Sequence, residues 1–353
     1  MAYTTIDNPE LYFQAKNYNG TGSSQAFTLD GTENMQPDWT WIKQRNGTAS
    51  HVLTDSVRGV TKHLVGNTNA AEVTSSAYIT SFDTDGFTLA DDGDVNGSGR
   101  TYASWNWKAG TSFSNSSGSN GANLDSSGSV STTAGFSIVS FTGNRSTTRN
   151  IYHGLGAVPK MIFFKNRSAT NGWTIYNKAI GNAKKLTLNS NAAEGNCTAC
   201  FASTDPTSTL FSVGDDGDTN GTSENMIAYC FADVQGYSRF GSYTGNGSTN
   251  GIFVYTGFKP AYVLTKCVDT ARNWNIRDNK LNPRNVTESF LEGNGTVAVQ
   301  TDVGYSSMDL LSNGFKHRGV GGDTNVSGDE YIYMAFAESP FVTGASAIPT
   351  TAR

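Results

Sequence analysis

Apolar residues along this chain come in short bursts rather than in helical stripes. The strings MIAYCFA (Met226 to Ala232) and YIYMAFA (Tyr331 to Ala337) are almost wholly apolar. A strand of that kind is buried on both faces or lies at the centre of a packed sheet. In WTWIK (Trp39 to Lys43) and TYASWNW (Thr101 to Trp107) two tryptophans stand two residues apart, so each pair shares one strand face. Core packing is the plainer reading of these pairs, and a sugar-stacking platform the sharper one. DG, NG and SG dipeptides separate the bursts and supply the positive φ of tight hairpins. No segment of twelve or more residues carries a 3.6-residue apolar period, and the best helical candidate, Ser56 to Gly66, is interrupted by glycines. The pattern predicts an all-β fold with Gly/Asn-rich hairpin turns.

The bursts recur in three diverged copies. Each copy opens on an aromatic residue and a Gly/Asn turn, YNGTGS from Tyr18, FTGNRS from Phe141 and YTGNGS from Tyr243. Each continues with a proline and a strand ending in lysine: Pro37 to Lys43, Pro159 to Lys165 and Pro260 to Lys266, six residues apart in every case. Trp173 and Trp274 follow in the second and third copies, where the first has His51. Near the ends, Asn96, Asn220 and Asn325 each precede the matching position of the closing strand (Trp105, Tyr229, Met334) by nine residues. Such regular spacing under changing side chains marks a repeat.

Two sheets packed face to face bury strands of this kind in a unit of about 100 residues. The expectation is therefore three tandem β-sandwich domains, jelly-roll or lectin-like, spanning 10–109, 136–235 and 236–342. Residues 1–9 form an N-terminal arm, and 110–135, rich in Ser, Gly and Asn, reads as a linker without a core or an arm draped over a neighbour. Residues 343–353 read as an extended C-terminal tail. The second and third copies, joined almost directly, are expected to pack as a pair.

Composition narrows the function. Charged residues make up 16% of the 353, the net charge is −5, and Lys and Arg do not cluster, which argues against nucleic acid as a partner. No run of eighteen apolar residues and no basic-then-apolar leader occurs, so neither a helical membrane span nor a secretory signal is expected. Cys230 and Cys267 sit in apolar strands and read as small buried hydrophobes. The pair Cys197 and Cys200 stands alone among only four histidines, too few partners for a zinc site; a disulfide between them is one reading, but a reducing, cytoplasmic compartment argues for a reduced pair.

Candidate chemistry concentrates in Asp92, Asp94 and Asn96, repeated as Asp216, Asp218 and Asn220. Oxygen ligands at positions one, three and five followed by glycine match the first half of a calcium loop. Position twelve holds Ala103 or Ile227 where a bidentate Glu is required, so self-capping turns are the favoured reading and no cofactor is expected. Asp215, Asp216 and Asp218 fall in a turn rather than on facing strands, which argues against paired-carboxylate glycoside hydrolysis. No G-x-S-x-G elbow occurs, and the histidines occupy unrelated repeat positions. Trp173 and Trp274, in the polar contexts NGWTIYN and RNWNIRD, are the candidates for glycan contact.

YTGNGSTNG, TGFKPAYVLTK, SNGFKHRG and IYMAFAESPFV resemble an uncharacterised repeat-domain family of tail-fibre-like and other virion structural proteins of marine phages, among them phages of cyanobacteria. The resemblance covers about residues 12 to 342. It implies a non-enzymatic virion protein, assembled in the host cytoplasm, with other virion proteins as partners and homotrimers as the common oligomer. A tail-fibre or short-fibre component contacting host surface glycans heads the expectations. A capsid-attached decoration or head-fibre protein is the alternative, and a polysaccharide-degrading tailspike the third. The chain departs from the family pattern at Asn106, where a small apolar residue or Cys is usual.

Overall fold

The computed structural model describes residues 4–339, 342–343 and 348–349, and every structural statement below concerns these. The first repeat contains β1 (Phe13–Asn19), β2 (Gln25–Phe27), β3 (Trp39–Gln44), β4 (His51–Asp55), β5 (Lys62–Val65), β6 (Val73–Thr74), β7 (Ile79–Phe82), β8 (Phe87–Leu89), a one-turn helix α1 (Gly93–Asn96) and β9 (Thr101–Trp107). After β10 (Thr111–Asn115) and β11 (Ser126–Ser131) the second repeat supplies β12 (Phe136–Thr142), β13 (Arg149–Tyr152), β14 (Met161–Asn166), β15 (Thr174–Asn177), β16 (Lys184–Thr187), β17 (Gly195–Asn196), β18 (Leu210–Val213), α2 (Gly217–Asn220) and β19 (Asn225–Phe231). The third has β20 (Ser238–Thr244), β21 (Phe253–Tyr255), β22 (Tyr262–Cys267), β23 (Asn275–Asp278), β24 (Ser289–Glu292), β25 (Gln300–Thr301), β26 (Met308–Leu311), β27 (Gly314–His317) and β28 (Glu330–Phe336). The protein is all-β with little helix.

The repeat is topological as well as sequential. The large sheets run β1-β9-β3-β4-β5-β6, β12-β19-β14-β15-β16-β17 and β20-β28-β22-β23-β24-β25, with β10 and β11 added outside β12 in the second. The closing strands β9, β19 and β28 are each paired on both sides, and both faces of each are buried, which is why β19 and β28 are almost wholly apolar. Smaller sheets, β2-β8-β7, β13-β18 and β21-β27-β26, accompany the large ones. Asn106 is buried without being orphaned: its Nδ2 donates to Gln14 O at 3.1 Å and its Oδ1 accepts from Thr40 Oγ1 at 3.1 Å.

Alternation along the strands sends side chains into two kinds of core. Ile42, Val52 and Tyr102 join Phe27, Phe87 and Leu89 of the small sheet in a cluster private to the first repeat. The second and third repeats have equivalent private clusters around Phe211 and Phe315. Residues of the opposite parity enter one shared cluster. Trp39, Trp41, Trp105 and Trp107 meet Phe163, Trp173, Tyr229 and Phe231 from the second repeat and Tyr262, Trp274, Met334 and Phe336 from the third. Ring contacts cross all three boundaries: Trp39–Tyr229 at 4.6 Å, Trp107–Tyr262 at 5.7 Å and Phe231–Phe336 at 5.8 Å. The four paired tryptophans are thus core residues.

Hydrogen bonds close the three repeats into a ring. Glu72 N donates to Arg167 O at 2.9 Å, Glu194 N to Val268 O at 2.8 Å and Val299 N to Arg45 O at 2.7 Å, three equivalent bonds joining first to second, second to third and third to first. A head-to-tail contact whose rotation closes after three steps is the geometry of a cyclic trimer, here drawn within one chain. The repeats are therefore not tandem beads, and the second and third are no more of a pair than the other two combinations.

Other expectations are also revised. Residues 110–135 are not a coreless linker. Ser127 pairs with Ser114 on one side and Ser140 on the other, while Val130 enters the private core of the second repeat with Phe113 packed against it. Ser56–Gly66 is turn and strand rather than helix. Arg58 folds back there onto Asp55, with a buried ion pair of 2.5 Å, and Gly59 adopts φ of 95°, which ends any right-handed helix. Ile6 of the N-terminal arm is buried in the shared core. Most of the C-terminal tail lies outside the described residues.

Candidate functional site

Trp173 and Trp274 are fully buried and cannot stack on a glycan. A buried indole N–H needs an acceptor, and each finds one on the adjacent repeat: Trp173 Nε1 donates to Val65 O at 2.9 Å and Trp274 Nε1 to Thr187 O at 3.0 Å. His51 occupies the equivalent place in the first repeat, its Nε2 lying 3.0 Å from Glu292 O and its Nδ1 accepting from Trp41 Nε1 at 2.7 Å. Val65, Thr187 and Glu292 are the last residues of β5, β16 and β24. These three side chains are a second set of ring closures, hidden in sequence by polar neighbours.

The other repeat markers are structural too. Pro37, Pro159 and Pro260 are buried two residues before β3, β14 and β22, where the missing N–H costs no ladder bond. Lys43, Lys165 and Lys266 are buried. Lys43 Nζ donates to Gln44 O at 2.8 Å and across the boundary to Thr296 O at 3.1 Å. Lys165 Nζ donates to Asn171 O at 2.5 Å and across to Asn69 O at 3.1 Å, and Lys266 Nζ to Cys267 O at 2.5 Å. Burial pulls all three ammonium groups down to about 8, against the opposing charges of Asp94, Asp218 and Asp323 near Lys43, Lys165 and Lys266 respectively.

The calcium-loop candidates serve the fold as caps and clamps. Asp92 Oδ1 accepts from Asp94 N at 2.7 Å and Asp216 Oδ1 from Asp218 N at 2.8 Å, capping α1 and α2. Asn96 Oδ1 accepts from Thr21 N at 2.9 Å, and Asn220 Oδ1 from Asn144 N at 2.9 Å. Asn325 Oδ1 does the same for Asn246 N at 3.0 Å. Each buried amide clamps the aromatic-Gly turn of its own repeat. Burial pushes the Asp218 carboxyl up, but the Asn171 amide and the Lys185 ammonium at 3.0 Å hold it below the usual range. The expected self-capping turns are one-turn helices capped by Asp92 and Asp216, with Asn96 and Asn220 buried.

Histidine chemistry is equally committed. Burial lowers His51 and His317 to about 3, and His63 and His153 to about 4, so all four rings are neutral at physiological pH. Cys230 and Cys267 are buried free thiols. Cys197 and Cys200, expected as a reduced pair, form a disulfide across a Cα separation of 5.3 Å, in a turn where Cys200 N lies 3.3 Å from Cys197 O. Asp216 Oδ2 lies 3.8 Å from Cys197 Sγ.

An open cleft of about 650 Å³ lies where β10, β11 and β12 meet, lined by Ser114–Ser117, Asn123–Ser127, Ser140–Asn144 and Ser223. Ser114, Ser127 and Ser140 sit side by side on the three strands, about 4.8 Å apart from strand to strand. Exposed Thr142, Asn144 and Asn123 flank the row, and Phe141 is buried beneath. The carboxylate in the cleft, Asp125, accepts from Ser117 N at 2.7 Å. Sequence reading missed this site because a serine-rich tract suggests a linker. The signal was the period-two placement of Phe113 and Asn115 and of Gly128 and Val130.

No curated protein and no solved structure matches the chain. Residues 8–340, which span all three repeats, match the family described as a domain of unknown function, DUF7483, and the chain belongs to that family.

Proposed function

We propose that this chain is a non-enzymatic structural and adhesive component of a phage particle, and that the serine-lined cleft of its second repeat contacts neutral glycans on a host surface. The observation that carries this reading is the Ser114–Ser127–Ser140 row. A strand-spaced series of hydroxyls, flanked by amides and with Arg167 Nη1 donating to Ser140 Oγ at 3.5 Å, complements a hydroxyl-rich ligand through many weak hydrogen bonds. Without an exposed aromatic platform each contact is weak, and useful adhesion comes from many copies presented together. On this reading the site faces outward from the particle, and each repeat is a β-sandwich whose large sheet also faces the shared core. The neutral, buried histidines and the single cleft carboxylate, Asp125, support a binding rather than a hydrolytic role, since a glycosidase needs two carboxylates across a groove. A homotrimer is part of the proposal, although the ring within one chain already buries the inner faces that oligomerisation was expected to cover.

Immobilised full-length chain tested against an array of neutral polysaccharides is the direct experiment. Saturable retention that Ser127→Trp abolishes is expected. Failure to retain any neutral glycan, or retention indifferent to that substitution, would overturn the cleft as the adhesive site. A particle-bound decoration without glycan affinity is the second reading. It is favoured by exposed Val303 and Tyr305, two residues apart in one loop of the third repeat at 74% and 51% exposure, since neighbouring exposed apolar side chains offer a contact surface. Release from purified particles on Tyr305→Ser, with no glycan retention by the parent chain, would favour that reading instead.

A further inference from the structure

We propose that Cys197, Cys200 and Asp216, once the disulfide is opened, form a binding site for a thiophilic divalent cation such as zinc, with a fourth position left to water. One ligand atom from each residue lies within 4.8 Å of the others. Two cysteines separated by two residues, on one turn, form a chelating pair for zinc. Asp216 is aimed by its own cap bond. Its Oδ1 is held by Asp218 N at 2.8 Å, which turns Oδ2 toward Cys197 Sγ at 3.8 Å.

Comparison of the repeats shows that the fold does not require this trio. The edge-strand registers Lys62 with Thr74, Lys184 with Asn196 and Ser289 with Thr301 align the three following turns. Cys197 and Cys200 then correspond to Ser75 and Tyr78 in the first repeat and to Asp302 and Tyr305 in the third. The residue facing them is Asp92 in the first, Asp216 in the second and Gly321 in the third. Only the second repeat joins two sulfurs to a carboxylate. A purely structural turn is served equally by serine and tyrosine, as the first repeat demonstrates.

Access and chemistry agree with the assignment. Cys200 is buried, whereas Cys197 and Asp216 are partly exposed, beside an open depression lined by Thr198, Ala199 and Asp215. An external dithiol reduces the disulfide by exchange, leaving two protein thiols and one oxidised reductant. Zinc then displaces two thiol protons and takes both thiolates with the Asp216 carboxylate. Because two protons leave, affinity falls up to ~100-fold for each pH unit below the thiol pKa.

Full-length chain is reduced with a phosphine, freed of reductant, and titrated anaerobically with Cd²⁺ and Zn²⁺. Thiolate-to-cadmium charge-transfer absorption reports occupancy. One ion per chain is expected, lost on reoxidation and lost in Cys197→Ser. Asp216→Asn keeps the helix cap, because Asn caps as well as Asp, and is expected to weaken binding by ~10-fold or more through loss of the anionic ligand. Absence of uptake by the folded, reduced chain overturns the proposal, as does a disulfide that opens only on unfolding or an affinity unchanged in Asp216→Asn. Should Cys197→Ser misfold, the reoxidised parent chain serves as the unliganded control.

Discussion

On the inner face of the first repeat His51 reaches Glu292 O, and at the same place in the second Trp173 reaches Val65 O. The side chains differ and the contact is the same. On the outer side the two repeats part. The turn after the edge strand carries Ser75 and Tyr78 in one and the bonded Cys197 and Cys200 in the other. The second repeat also extends its sheet by β10 and β11, which the first lacks. The inner acceptors are backbone carbonyls, so any buried side-chain N–H of the right reach can close the ring. Each outer cluster packs only its own repeat, so a change there is not transmitted around the ring. Novel chemistry is therefore expected on the outside, and both the cleft and the Cys–Asp trio are found there.

The contrast breaks first if the ring can be opened cheaply. Trp173→Ala removes a fully buried indole and leaves Val65 O without its side-chain donor. A loss of about 3–5 kcal/mol is expected from the cavity. Because the shared core spans all three repeats, urea unfolding followed by both tryptophan fluorescence and far-ultraviolet circular dichroism should remain one coincident transition. Separate transitions for the repeats would mean that the ring does not couple them.

Acid provides a second test. His51, held at about 3 in the folded chain against 6.5 when exposed, is neutral when buried. Between those values the unfolded chain binds a proton that the folded chain refuses, so stability falls as pH drops through 6.5 and is fully reduced only near 3. The slope is about 1.4 kcal/mol per pH unit for each such histidine. His63, His153 and His317 shift in the same direction. Urea midpoints measured at pH 7, 6 and 5 should decline steadily, with a shallower decline in His51→Gln. A flat profile would contradict neutral burial at the ring.

How much of this was legible follows from where each signal resides. The closing strands β19 and β28 announced themselves because a strand covered on both faces has little room for polar side chains, and the polar Ser104 and Asn106 made β9 the least legible of the three. The Pro-to-Lys spacing was equally plain, since the strand length it measures is common to all three sheets. The ring was not, because apolar alternation shows that a face is buried and not against which partner. Trp173 and Trp274 misled through their polar neighbours, which are engaged inside the fold: Asn171 Nδ2 donates to Asp218 Oδ1 at 2.9 Å, and Asn273 Oδ1 accepts from Asn294 Nδ2 at 2.9 Å. Asn96 and Asn220 looked like ligands because a clamp and a metal site use the same oxygen.

The smallest effect sharpens the contrast most. Ser127 projects from β11 into the cleft between Ser114 and Ser140 and is exposed. Ser127→Ala removes one hydroxyl, leaves the strand pairing intact and touches no shared core residue. Stability should stay within about 0.5 kcal/mol of the parent, as for surface substitutions generally. If the cleft is the adhesive site, the same change should still lower retention on neutral glycans about 5- to 10-fold, the worth of one hydrogen bond of about 1 kcal/mol. A fall in stability with unchanged retention would make the serine row part of the scaffold and erase the distinction between an inner frame and an outer working surface. Unchanged stability with reduced retention would separate the two functions at a single oxygen atom.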